Sequence, residues 1–305
     1  MLLIVAALIP VFLLILAGAA MRRWRFPGDA IWLPLDRLVY YVLFPALLVR
    51  SLDSARLGGI GLLPLAAALL LAIAAMTVGL LALRRVVTPD GPAFTSVYQG
   101  ALRFSTFIGL GAVAALYGPN GVTAFGFAIA LCVPVLNVLC VLVLARHATP
   151  HGPLDWRSQG RLLAANPLIL ACLIGLGLNL SGLALPAAVG ATLDLLARAS
   201  IPLGLLAVGA GLEWQAIRSA GKLVALSSVL RLIGMPVLLA LACRFTGVDG
   251  TERSIAILWG ALPTASSAYI LARQMGGDGA LMAAIITAQT LAAFATIPVV
   301  LTLLR

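Results

Sequence analysis

Gln99-Gly100-Ala101-Leu102-Arg103-Phe104-Ser105-Thr106-Phe107-Ile108-Gly109-Leu110-Gly111 sets an arginine and two hydroxyls among glycines inside an otherwise apolar segment. A charged group at membrane depth is expensive, so it calls for a functional reason. Trp259-Gly260-Ala261-Leu262-Pro263-Thr264-Ala265-Ser266-Ser267-Ala268-Tyr269 repeats the Gly-Ala-Leu opening 160 positions later and adds a helix-breaking proline and three hydroxyls. The two stretches read as a matched pair of broken membrane helices facing one site.

Composition sets the solvent around them. Hydrophobic residues make up 62% of the 305 positions and charged residues 10%, with a mean hydropathy of +1.12. Such a chain cannot cover a soluble surface, and its apolar runs recur at bilayer-spanning length. The net charge of +10 lies mainly in short loops, where it sets orientation, so nucleic acid is not an expected partner and the lipid bilayer is. Cys132, Cys140, Cys172 and Cys243 fall in apolar runs without CxxC spacing and read as packing residues, and no metal is expected. The first apolar run has its arginines after it, as in a retained helix and unlike a signal peptide.

Ten spans are expected, near residues 2–20, 32–50, 58–83, 94–117, 121–145, 164–180, 187–212, 221–244, 253–273 and 279–304. The connection from His147 to Arg161 contains Asp155-Trp156-Arg157, which reads as an interfacial helix. Loops after odd-numbered spans hold eleven basic residues (Arg22, Arg23, Arg25, Arg84, Arg85, Arg146, Arg157, Arg161, Arg218, Lys222, Arg273), and the other side holds five (Arg50, Arg56, Arg244, Arg253, Arg305). By the positive-inside rule both termini lie outside the cytoplasmic membrane.

The halves repeat weakly. Span 2 carries Pro34, Asp36 and Pro45, and span 7 carries Pro186, Asp194 and Pro202. Gly118-Pro119-Asn120-Gly121 after span 4 answers Gly276-Gly277-Asp278-Gly279 after span 9. Five spans is an odd number, so the second repeat must be upside down relative to the first. This is an all-α membrane fold of 5+5 inverted repeats: residues 1–146, a cytoplasmic linker at 147–161, and residues 162–305.

The chemistry is expected at the interruptions, placed at Gly109 and Gly111 in span 4 and at Pro263 in span 9. Half-helix N-termini there favour an anion and C-termini a cation, although ordinary kinking is the simpler alternative. Arg103 is the candidate anion ligand, against the alternative of snorkelling at a helix end. Ser105, Thr106, Thr264, Ser266 and Ser267 surround it as candidate ligands, and Asn137, Gln289 and Thr290 put polar groups in the following spans. Asp194 and Arg198, four apart, can pair on one helix face, with proton coupling by Asp194 as the alternative. Arg231 has no acidic residue at helical spacing, so snorkelling or an interhelical partner is expected. HExxH and aspartate-rich metal motifs are missing, and the only histidines, His147 and His151, lie in the loop, so no intramembrane histidine catalysis is expected.

On Leu43-Phe44-Pro45-Ala46-Leu47, Gln99 to Gly111, Val133-Pro134-Val135-Leu136-Asn137-Val138, Asn166-Pro167-Leu168-Ile169-Leu170, Ile201 to Ala210, Leu262-Pro263-Thr264-Ala265 and Tyr269-Ile270-Leu271-Ala272, the chain resembles the auxin efflux carrier family along essentially its whole length. Bacterial members include malate and malonate permeases. The resemblance implies a scaffold of spans 1, 2, 6 and 7, a transport domain of spans 3–5 and 8–10, helices 4 and 9 crossing at the substrate site, an elevator motion and a homodimer. Ser105 and Ser267 stand where the family often has asparagine, and Gly111 where it has proline. The expected activity is secondary transport of a small organic anion coupled to H+ or Na+, with no cofactor; a channel, a non-transporting receptor or an intramembrane enzyme are the alternatives.

Overall fold

The computed structural model describes residues 2–53, 62–148, 167–183, 185–213, 215 and 221–304. Among these residues every regular element is helical. Among the described residues seven helical stretches are long and apolar enough to cross a membrane: Ile4–Arg23, Asp29–Asp53, Leu62–Ala82, Gly91–His147, Ala187–Ala210, Lys222–Thr246 and Gly279–Leu304. Their outward residues, among them Leu13, Leu63, Val78, Leu195 and Phe245, are as apolar as the core, which suits lipid and not water. The chain is a multi-pass membrane protein. The expected interfacial helix at Asp155-Trp156-Arg157 lies outside the described residues.

We number the helices α1 Leu2–Arg23, α2 Trp32–Leu38, α3 Phe44–Asp53, α4 Leu62–Ala82, α5 Arg84–Val87, α6 Gly91–Leu102 and α7 Thr106–His147. The second half continues with α8 Pro167–Ser181, α9 Ala187–Ala210, α10 Lys222–Val229, α11 Met235–Thr246, α12 Gly250–Ala261, α13 Ser267–Gln274 and α14 Gly279–Leu304. A π turn at Val39–Leu43 joins α2 to α3, and another at Leu230–Gly234 joins α10 to α11. Each turn ends two residues before a proline, Pro45 or Pro236. Proline lacks the N–H that would reach back four residues and its ring crowds that carbonyl, so the turn ahead of it widens.

Packing is closest between α1 and α9, α3 and α8, and α4 and α11. Between α1 and α9 glycine makes this possible: a Cβ on Gly18 would collide with the carbonyl of Leu206, and one on Gly209 with the carbonyl of Ile15. The two backbones therefore touch with no side chain between them, as small residues allow in lipid. Gly175 plays the same part on α8, where a Cβ would lie 2.9 Å from the Val49 carbonyl on α3.

Gly118 interrupts α7 with φ 62 and ψ −154. There the chain doubles back, because His147 at the far end of α7 returns to the start of α6 and sets its ring 5.5 Å from Phe94. The expected separation of two spans near 118–121 is thus a single-residue reversal. Near it Thr123 donates to the Ser51 carbonyl at 3.1 Å, and Asn179 donates to the Asp53 carbonyl at 2.8 Å. At the other end of the bundle Ser96 donates to the Asp278 carbonyl at 2.8 Å.

Candidate functional site

Two non-helical segments meet in the middle of the bundle. In the first, Arg103 (φ −73, ψ 153) and Ser105 (φ −79, ψ 107) are extended between α6 and α7. In the second, Leu262 (φ −68, ψ 141) begins a connection that reaches α13 at Ser267. The first break is therefore not at Gly109 and Gly111, the positions expected from sequence. Both glycines are buried inside α7: a Cβ on Gly109 would strike the Phe125 ring, and one on Gly111 would lie 3.2 Å from Leu205 of α9. They allow close helix packing, a role that sequence alone does not separate from a kink.

Several backbone groups of the breaks find partners across the bundle, as lipid depth demands. The Ser105 amide donates to the Pro263 carbonyl at 2.7 Å. The Ser105 hydroxyl accepts from the Ile108 amide at 3.4 Å and so caps α7. Gln289, fully buried, accepts from the Thr264 amide at 2.9 Å and donates to the Gly100 carbonyl at 3.0 Å. The Thr264 hydroxyl lies 2.7 Å from the Gly100 carbonyl and 2.8 Å from Gln289 Oε1, the acceptors for its one proton. Gly100 is needed because a Cβ there would strike the Ser227 hydroxyl.

Arg231, in the π turn between α10 and α11, has no exposed surface. Its Nε donates to the Leu262 carbonyl at 2.7 Å, Nη1 to the Leu102 carbonyl at 3.2 Å and Nη2 to the Trp259 carbonyl at 2.6 Å. The guanidinium also lies 4.9 Å from the centre of the Trp259 ring. Of the two readings open in the sequence, the interhelical partner is the one observed, and it is backbone.

On the other side of the breaks lies a cavity of about 140 Å³. Arg103, Phe104 and Thr106 line it from the first break, and Ala265 and Ser267 from the second. Asn137 of α7 closes another wall. Tyr40, from the π turn at Val39–Leu43, and Leu168 of α8 face the breaks. Arg103 Nη2 donates to the Ser267 hydroxyl at 3.1 Å, while its buried Nη1 has no hydrogen-bond partner among the described residues. The first turns of α7 and α13, with the partial positive charge of helix N-termini, border the same space.

Of the residues singled out from sequence, the cavity brings together Arg103, Thr106, Ser267 and Asn137. Ser105, Pro263, Thr264 and Gln289 hold the breaks together instead. Ser266 borders a separate cavity of about 130 Å³ with Glu213, Tyr269 and Thr287. Thr290 donates to the Ile286 carbonyl of its own helix at 2.8 Å. Asp194 lies elsewhere, and its hydrogen-bonded partner is Arg50, not Arg198: Arg50 Nε and Nη2 reach its two oxygens at 2.8 and 3.2 Å. A two-pronged bond to a facing helix outcompetes the neighbour four residues along the same one. Sequence reasoning misses Tyr40 and Leu168, although a tyrosine in an apolar run ahead of Pro45 is a usable signal for the first.

Residues 156–301 match the model of a family described as membrane transport protein. An uncharacterized transporter of Methanothermobacter thermautotrophicus is 27% identical over 290 residues, which cover 94% of each chain. The uncharacterized transporter YfdV of Escherichia coli K12 is 26% identical over 171 residues, 54% of each chain. The family match over the second half and the likeness to a transporter along nearly the whole length support a membrane transporter.

Proposed function

We propose that the protein is a secondary transporter of small organic anions in the cytoplasmic membrane, working by alternating access of an elevator type and driven by a proton or sodium gradient. The observation that carries the reading is the 140 Å³ cavity, where the Arg103 guanidinium and the first turns of two half-helices converge. Such a set favours a carboxylate. The volume is that of about five waters at ~30 Å³ each, which suits an acid of a few carbons.

The proposed architecture is ten spans in 5+5 inverted repeats with both termini outside. Pairing of α1 with α9 and of α3 with α8 supports it, because exchange of spans 1 with 6 and 2 with 7 turns one pair into the other. The α4–α11 pair, spans 3 and 8, maps onto itself. Tyr40 and Leu168 belong to spans 2 and 6, so the cavity lies between the proposed scaffold and the proposed moving domain, as an elevator requires.

Two measurements test this reading. Purified protein is screened by thermal shift against mono- and dicarboxylates, since a bound ligand raises stability as RT ln(1 + [L]/Kd). A stabilising acid is then used in proteoliposome counterflow. Label accumulating against its own gradient supports a carrier; equilibration without overshoot would indicate a channel, and no stabilisation by any carboxylate would remove the anion reading.

A further inference from the structure

Helix C-termini gather negative charge, and in this fold two of them point at one place. The last turn of α6 leaves the Leu102 carbonyl without a partner in its own helix, and the end of α12 does the same for Leu262. A third carbonyl is orphaned for a separate reason: the donor to Trp259 would be the amide of residue 263, which is proline. Each helix end carries roughly half a negative elementary charge, so the pair amounts to about one. In discontinuous membrane helices this is the kind of place where backbone carbonyls hold a metal cation such as Na+.

Here the three orphaned carbonyls all accept from Arg231, Leu102 at 3.2 Å, Leu262 at 2.7 Å and Trp259 at 2.6 Å. Among the described residues no carboxylate pairs with that guanidinium. Its counter-charge is the two helix ends and the face of Trp259. A guanidinium never deprotonates under physiological conditions and has donors in a planar fork, which is what three carbonyls from two helices require.

We infer that Arg231 is a tethered cation, occupying the place at the crossing of the two broken helices where a free metal cation would otherwise have to bind. One charge offsets about one charge, so the crossing is complete without Na+. Because the same side chain bonds α6 at Leu102 and α12 at Trp259 and Leu262, it also ties the two breaks into one unit. Leu102 directly precedes Arg103, so the tether fixes the backbone from which the cavity arginine extends. The consequence for coupling rests on the transport reading above: if the carrier draws on a sodium gradient, the ion binds away from this crossing.

The test is thermal and involves no substrate, so its failure would leave the anion cavity standing. Melting temperatures of the wild-type protein and of Arg231→Ala are measured in detergent in NaCl, KCl and choline chloride at equal ionic strength. Guanidinium chloride is added to roughly tens of millimolar, far below its denaturing molar range. The wild type is expected to gain nothing from guanidinium, and any gain in NaCl over choline chloride, from an ion bound elsewhere, is expected to persist in Arg231→Ala. Arg231→Ala is expected to melt lower and to regain at least about 3 °C with guanidinium but to gain no more from Na+ than the wild type does. Arg231→Lys, with the charge but not the fork, is expected to lie between the two and to gain less. A wild type stabilised by guanidinium would overturn the inference, as would a soluble Arg231→Ala that guanidinium does not rescue. The wild-type arm decides the matter even if neither variant folds.

Discussion

The hydroxyl of Thr264 lies 2.7 Å from the carbonyl of Gly100, a contact between the two interrupted helices of residues 164 apart in the chain. Valine has nearly the shape of threonine without the hydroxyl, so Thr264→Val removes the one proton that the Gly100 carbonyl and Gln289 Oε1 share in a dry site. The expected loss is about 1–3 kcal/mol of stability, read as a fall in melting temperature at ~2–4 °C per kcal/mol. An unchanged melting temperature would mean that water enters the break.

Arg103 is expected to be the principal cationic contact of the transported anion. Removing one partner of a desolvated charge pair costs about 2–5 kcal/mol, so Arg103→Ala should weaken ligand affinity roughly 30-fold or more. Arg103→Lys should weaken it less without restoring it, since one ammonium cannot bond both the Ser267 hydroxyl and a carboxylate in the arginine's geometry. Thermal-shift titration with a stabilising carboxylate reads both effects. A change below about threefold for alanine would reduce Arg103 to a structural part of the break.

Gly209→Ala and Gly111→Ala should differ sharply. The first inserts a methyl against the Ile15 backbone, which cannot yield without separating α1 from α9; overpacking of this kind costs about 1–3 kcal/mol. The second meets the Leu205 side chain at 3.2 Å, which can rotate away. Melting temperatures of the two variants, measured side by side, check the order.

Asp194→Asn should leave carboxylate affinity within about threefold of wild type, because its partner is Arg50 and the part-exposed pair stands apart from the cavity. A large loss of affinity would restore Asp194 as a coupling candidate.

Topology is checked by labelling. The four native cysteines are buried, so a thiol reagent that cannot cross the membrane should find little background. Cysteine at exposed Asn120 should label from outside and cysteine at exposed Arg85 only from inside. The reverse pattern would invert the proposed orientation.

The breaks are legible in the sequence to within a few residues, because glycine, proline and hydroxyls clustered in a hydrophobic run weaken a helix there and nowhere else nearby. The first one is nevertheless displaced. Gly109 and Gly111 read as the interruption, but a helical glycine pressed on Phe125 or Leu205 looks the same in sequence as a glycine in a kink. What interrupts the helix at Arg103–Ser105 is support from afar: Arg231 is 129 residues from the carbonyl it bonds at Leu102, and Gln289 is 189 residues from Gly100. Local spacing carries no trace of such partners. The same blindness pairs Asp194 with Arg198 at four residues when Arg50, 144 residues away, makes the better bond. Asn137 is legible because a carboxamide deep in an apolar run has few reasons to be there other than a neighbour or a cavity.

Proline at 263 and arginine at 231 are bound to a common history. An ordinary residue at 263 would let Leu262 turn helical and bring an amide back to the Trp259 carbonyl, and one acceptor would then have two claimants, the new N–H and Arg231 Nη2. Loss of the arginine alone would strand three carbonyls. Neither position can drift to another residue without the other becoming a liability, so in descendants of this chain the two should change together or not at all.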